Sequence, residues 1–270
     1  MLTSRKNPLV KQLRKLHHPQ GRREQQLFLL EGTHLLEVAC AVDYPLVTVC
    51  CTTDWLAGHG PLWENACRRC QRTELVSPEV MQAIATTVHP DGVVAAAQPR
   101  SQSGVLPTRL GLALETVQDP GNLGTMMRTA VAAGAEGLWL SADSVDIHHP
   151  KLLRASAGEW FRLPVAVSPD LKDLVYRCQQ QGIQVVATSP LADNIYWEID
   201  LSCPTLILLG NEGAGLSPDL ASLADRHVKI PLANGVESLN VAIAAALVLY
   251  EAQRQGLTIS NSVTENNHGI

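Results

Sequence analysis

The sequence predicts an α/β protein: a parallel-sheet domain in the second half, preceded by a smaller α/β domain. Three observations carry this. Apolar, strand-like runs alternate with helical patterns after residue 108. Those runs are apolar at nearly every position, so both faces of the sheet need cover, as in parallel sheets flanked by helices. A polar stretch, Gln98-Pro99-Arg100-Ser101-Gln102-Ser103-Gly104, separates the halves. The expected division is a first domain over 1–99, a linker over 100–107, a second domain over 108–256, and a polar, disordered tail over 257–270.

In the first half, a helical pattern runs from His34 to Val42, and the β-branched run from Leu46 to Thr53 reads as a strand. Ser77-Pro78-Glu79 starts a helix, with Ser as cap and Pro in the first turn. Gly92 to Ala97 reads as a short strand. In the second half, strands are expected at 110–117, 137–141, 184–188, 205–209 and 227–230, and helices at 123–133, 171–181 and 239–255. The last helix is apolar almost all round from Val241 to Tyr250. Such a helix needs cover on more than one side, from the sheet and from a second subunit.

Hydrophobic residues make up 46% and aromatics only 4%, so the core must be aliphatic. The net charge of −5 argues against a nucleic-acid partner only if it is evenly spread. It is not. Residues 1–30 hold Arg5, Lys6, Lys11, Arg14, Lys15, Arg22 and Arg23 against a single acid, Glu24. A basic arm on an acidic body suits a localised polyanion contact, and suits a solvated helix face about equally well. Cys67-Arg68-Arg69-Cys70 lacks a second ligand pair at zinc spacing, so reduced thiols and no metal are expected. His17-His18 and His148-His149 read as surface positions. The longest apolar stretch is too short to span a bilayer, and a cytoplasmic protein is expected.

Three polar segments directly follow apolar runs. They are Glu115-Thr116-Val117-Gln118-Asp119-Pro120-Gly121-Asn122-Leu123-Gly124 with Arg128 behind it, Gly210-Asn211-Glu212-Gly213-Ala214-Gly215-Leu216, and Ile230-Pro231-Leu232-Ala233-Asn234-Gly235-Val236-Glu237-Ser238-Leu239-Asn240. Loops at strand ends are where sheet proteins bind ligands. Gly lets backbone approach a ligand closely, and Asn and Ser supply donors and acceptors. One composite site is therefore expected. Taken singly, Arg128 reads as a surface arginine or an anion clamp, Glu212 as a helix cap or a partner for an arginine, and Ser238 and Asn240 as helix caps or ligand contacts.

Together the three segments resemble the motifs of the SpoU/TrmH branch of SPOUT RNA 2′-O-ribose methyltransferases. The first is matched by Asn122, Gly124 and Arg128, the second by Gly210-Asn211-Glu212-Gly213, and the third by Ile230-Pro231 with Ser238-Leu239-Asn240. Residues 150–158 are similar to the family's segment between motifs, and the first half is similar, more loosely, to the substrate-binding (L30e-like) domain of the ribosomal-RNA members. The resemblance implies a deep trefoil knot, a homodimer and S-adenosylmethionine as methyl donor. It implies catalytic roles for Arg128, Asn122, Glu212, Ser238 and Asn240, with Glu212 fixing Arg128. It implies a donor site at Gly210, Asn211, Glu212, Gly213, Ile230, Leu232, Ser238 and Leu239, and RNA contacts along the basic arm. The expected substrate is 23S ribosomal RNA, with transfer RNA, or a catalytically silent RNA-binding protein of the same fold, as alternatives.

Overall fold

The computed structural model describes residues 1–100 and 105–266; the middle of the expected linker, 101–104, lies outside the described residues. The chain forms two compact units. The first contains the residues before the linker together with Asp146–Phe161, and the second contains the rest.

The first unit opens with α1 (Pro8–Lys15) and α2 (Pro19–Gln25), each with Pro in its first turn, and Asn7 caps α1. Then come β1 (Phe28–Glu31), α3 (Thr33–Ala41), β2 (Leu46–Cys51), α4 (Thr53–Gly58), α5 (Gly60–Cys67), β3 (Cys70–Leu75), α6 (Pro78–Ile84) and β4 (Val93–Ala97). The sheet order is β1-β4-β2-β3. β4 is antiparallel to both neighbours, and β2 pairs parallel with β3. Ser77 accepts from the backbone of Val80, which is the cap its sequence predicts. The sequence pattern misses β1, which directly follows the charged arm, and β3, whose residues CQRTEL are mostly polar. β3 lies at the sheet edge and buries none of its residues fully, so polar and charged side chains suit it.

The second unit holds β5 (Leu110–Leu114), α7 (Pro120–Ala132) and β6 (Leu138–Ser141). Next, α8 (Pro150–Ala155) and a 3-10 turn at Glu159–Phe161 lie in the segment assigned to the first unit. The sequence pattern instead kept these residues in the second domain. Side-chain contacts at long sequence range tie them to the first unit. Arg22, only 4% exposed, donates through Nε to Asp146 at 2.8 Å. Arg154 donates to the buried Glu31 at 2.9 Å. Phe28 packs against His148 and Trp160, with ring centroids 4.8 and 5.2 Å away.

The second unit continues with β7 (Val165–Ser168), α9 (Leu171–Gln180), β8 (Gln184–Thr188), β9 (Asn194–Ile195), β10 (Thr205–Leu209), α10 (Pro218–Ala221), β11 (Arg226–Lys229) and α11 (Val241–Asn266). Its sheet order is β7-β6-β5-β10-β8-β11-β9, and every pairing is parallel. β5 and β10 are wholly buried, as their unbroken apolar sequences require. They are neighbours in register, Leu114 opposite Leu209, so the chain leaves the sheet side by side after each. α11 runs past Gln255, where the sequence pattern ended it. No proline follows to stop it, and extending an existing helix costs little once it is nucleated. Residues 257–266, expected to be disordered, are therefore helical, and 267–270 lie outside the described residues.

Candidate active site

The first loop begins where β5 stops, three residues before the predicted end. Thr116 has φ +56°, a left-handed conformation that a β-branched residue adopts at a cost of about 1–3 kcal/mol. Three bonds hold it there. Its N–H donates to Ser141 Oγ at 2.7 Å, its hydroxyl donates to Asp143 at 2.8 Å, and its carbonyl accepts from Asn211 Nδ2 at 2.9 Å. The chain then enters α7, capped by Asp119, which accepts from the N–H of Asn122 at 2.9 Å.

The second loop follows β10. Asn211 and Gly215 exchange backbone hydrogen bonds of 3.0 and 2.9 Å. Asn211 Oδ1 accepts from the N–H groups of Gly213 and Ala214. A Cβ on Gly210 would stand 2.0 Å from the Gly215 carbonyl carbon, so the loop closes only over glycine. Glu115 ties this loop to the first by accepting from Ser217 N–H and hydroxyl, both at 2.7 Å.

Glu212 lies at the N-terminal end of α7. It accepts from Asn122 Nδ2 at 3.2 Å and from the N–H groups of Asp119 and Gln118 at 3.3 and 3.4 Å. Burial alone would raise its pKa, but the hydrogen bonds from its own backbone, Asn122, Asp119 and Gln118 together hold it below the ordinary carboxylate value. The third loop turns through Asn234 and Gly235, both with positive φ. Asn240 then caps α11 by accepting from Ala242 N–H at 2.9 Å, and donates through Nδ2 to Asn122 at 3.0 Å. Asn240, Asn122 and Glu212, one from each predicted segment, thus form a continuous hydrogen-bonded chain.

Beside this chain lies a pocket of about 240 Å³. The second loop contributes Gly210, Asn211, Glu212 and Gly213 to its wall, and the third contributes Ile230, Leu232, Ser238 and Leu239. Thr188, Ser189 and Pro190, at the end of β8, complete it. The sequence pattern offered no motif for these three, because β8 becomes a neighbour of β10 only in the folded sheet. The wall carries two charged side chains, Glu212 and Glu237. Among the described residues, the N–H groups of Leu232 and Leu239 have no hydrogen-bond partner. An apolar slot with free backbone donors and an acidic rim fits a purine nucleoside bearing a cationic substituent.

Two expectations need correction. Glu212 does not pair with Arg128. Its oxygens are taken at the helix N-terminus, while Arg128 lies six residues further along α7, about 9 Å by helical rise. The Arg128 side chain is exposed, makes no hydrogen bond or ion pair with a described residue, and is not part of the pocket wall. Arg22 is not a free surface charge: besides Asp146 it donates to the carbonyls of Leu16 and His17. The other basic-arm residues, Arg5, Lys6, Lys11, Arg14, Lys15 and Arg23, are exposed. Among the described residues, no group of three or more His, Cys, Asp or Glu side chains could hold a metal ion, and no helix is long and apolar enough to cross a membrane.

Known proteins resemble this chain along most of its length. The SpoU rRNA Methylase family matches residues 109–250, and an MRM3-like substrate binding domain matches residues 7–95. An uncharacterized tRNA/rRNA methyltransferase of Synechocystis is 48% identical, over 94% of this chain and 93% of its own length. The 23S rRNA (guanosine(2553)-2′-O)-methyltransferase RlmP of Bacillus subtilis is 33% identical over 92% of this chain and 97% of its own. The crystal structure of an AdoMet-bound rRNA methyltransferase from Sinorhizobium meliloti superposes with a TM-score of 0.83 at 33% identity, covering 94% of this chain and 97% of that one.

Proposed function

Because this chain belongs to the SpoU rRNA methylase family, we propose that it transfers a methyl group from S-adenosylmethionine to a ribose 2′-hydroxyl of 23S ribosomal RNA. The observation that carries this reading is the convergence of three strand-end loops, through Asn240, Asn122 and Glu212, beside a pocket suited to a cationic nucleoside. The donor supplies an electrophilic methyl group on a positively charged sulfur. The protein's task is then orientation and electrostatics.

Ser238, in the pocket wall, and Asn122, beside it, hold the ribose so that its hydroxyl attacks in line. Asn240 and Glu212 fix Asn122 from opposite sides. Gly210, Asn211, Gly213, Ile230, Leu232 and Leu239 would hold the adenosyl group, and the free N–H groups of Leu232 and Leu239 could donate to it. A guanidinium is a permanent cation and a poor base. Arg128 therefore clamps the phosphate next to the reacting ribose and favours loss of the hydroxyl proton to water.

The exposed residues of the arm, Arg5, Lys6, Lys11, Arg14, Lys15 and Arg23, meet RNA phosphates and give affinity without sequence choice. Methyl transfer to ribosomal RNA fragments, followed by mapping of ribose methylation, tests the assignment. RNA affinity should fall with salt with a log–log slope of about −0.7 per phosphate contact. A chain that fails to bind S-adenosylmethionine in a calorimetric titration would instead be a silent RNA-binding protein. On α11, Ile243 and Tyr250 are each about half exposed, which supports a homodimer. The fold is assigned the family's trefoil knot, and the protein a place in the cytoplasm with the RNA it modifies.

Glu237 adds a prediction. An acid at the pocket rim favours the sulfonium donor over its neutral product. Glu237→Gln should weaken S-adenosylmethionine about 2- to 5-fold and leave S-adenosylhomocysteine unchanged, read by titration of both ligands. Equal weakening of the two would show that Glu237 acts by shape rather than by charge.

A further inference from the structure

Thr116 does not line the pocket but is bonded to Asn211, which does. Among the described residues of the second unit, Thr116 is the β-branched residue with positive φ, and its three ties point in different directions. Ser141 and Asp143 restrain it from behind, at the end of β6. Its carbonyl points the other way, to Asn211 Nδ2. That bond orients the Asn211 amide so that Oδ1 receives the N–H groups of Gly213 and Ala214, both in the pocket wall. If Thr116 relaxed to negative φ, its carbonyl would swing away, the Asn211 amide would keep only its longer bond to Glu212 at 3.4 Å, and the loop over Gly213 and Ala214 would be held less firmly.

We propose that Asp143 and Thr116 form a positioning relay that holds the second loop in its donor-binding shape, with the Thr116 hydroxyl locking a strained carbonyl onto Asn211. The inference rests on the function proposed above and deepens it. Its basis is preorganisation: a strained backbone persists only where surrounding bonds over-determine it, and a loop held in its bound shape loses less freedom on binding. Asp143 is exposed and absent from the pocket wall, so removing it tests the relay without touching the ligand.

The experiment compares full-length wild type, Asp143→Ala, Thr116→Gly and the double variant by calorimetric titration with S-adenosylmethionine. Melting temperature and KM for RNA are measured in parallel. Asp143→Ala should raise the donor Kd about 3- to 10-fold, the worth of one hydrogen bond, with RNA KM unchanged. The double variant should recover to within about twofold of wild type, because glycine holds the left-handed conformation without steric cost. A donor Kd unchanged in Asp143→Ala with a lowered melting temperature would make the bond merely structural and overturn the relay. A double variant as weak as Asp143→Ala would do the same. Wild type without donor affinity sinks the proposed function and the relay together, whereas wild-type affinity retained by Asp143→Ala sinks the relay alone.

Discussion

Replacing Arg128 with Ala should lower methyl transfer by about 10²–10³-fold, the cost of removing one positioned charge from a transition state. Donor affinity should stay within about twofold of wild type, as for a surface change distant from the ligand. The reason is geometric. Arg128 is exposed on α7 six residues beyond Asn122, outside the pocket wall, so its charge is available to RNA and not to the donor. Arg128→Lys should recover only part of the rate, because a point charge cannot form the two parallel hydrogen bonds of a guanidinium to phosphate. Single-turnover rates and donor titrations separate the two effects. Wild-type turnover in Arg128→Ala would remove this residue from the mechanism.

The second large effect concerns stability. Asp146→Ala should destabilise the protein by about 3–5 kcal/mol, because it strands the buried Arg22 guanidinium, 2.7 Å from the carboxylate it faces. Arg22→Met with Asp146→Asn should cost much less, since no buried charge is then left alone. The pH dependence has a definite sign. Burial pushes the Asp146 carboxyl up, but hydrogen bonds from His148 and the Arg22 charge prevail and hold it far below its ordinary value of 3.8. Glu31 is likewise held below 4.5 despite burial, by Thr86, Thr87 and Arg154. A depressed carboxylate contributes its full stability above the unfolded-state value and loses it as pH falls through the folded-state value. The melting temperature should therefore be insensitive to these groups above about pH 4.5 and drop below it. Asp146→Asn should flatten that acid limb. An acid limb unchanged in Asp146→Asn would assign it to other groups.

Local patterns in the chain were enough for much of the second unit. β8 and β10 occupy the residues expected from sequence, 184–188 and 205–209: β10 is wholly buried and almost wholly aliphatic, and β8 buries its aliphatic centre, Val185, Val186 and Ala187. The three loops were legible for the same reason in reverse. Gly, Asn, Ser and Glu clustered at the ends of such runs have little use except in turns and sites. The short edge strands β7 and β9 were not legible. Two to four residues, partly exposed, carry too little periodicity to stand out.

The partners were beyond local reach. Glu212 suits any arginine until the fold places it at the start of α7, where the N–H groups of Gln118 and Asp119 donate to it. Arg22 looks like its basic neighbours until Asp146, far along the chain, buries it. The class of sheet, the loops that bear the chemistry and the family to which they belong could be read from the chain, since each is written in short-range composition. Tertiary structure alone decided which carboxylate meets which donor, which arginine is free, and which unit claims residues 146–161. Those outcomes depend on competition among groups brought together across the chain, and burial settles that competition only when the whole fold has closed.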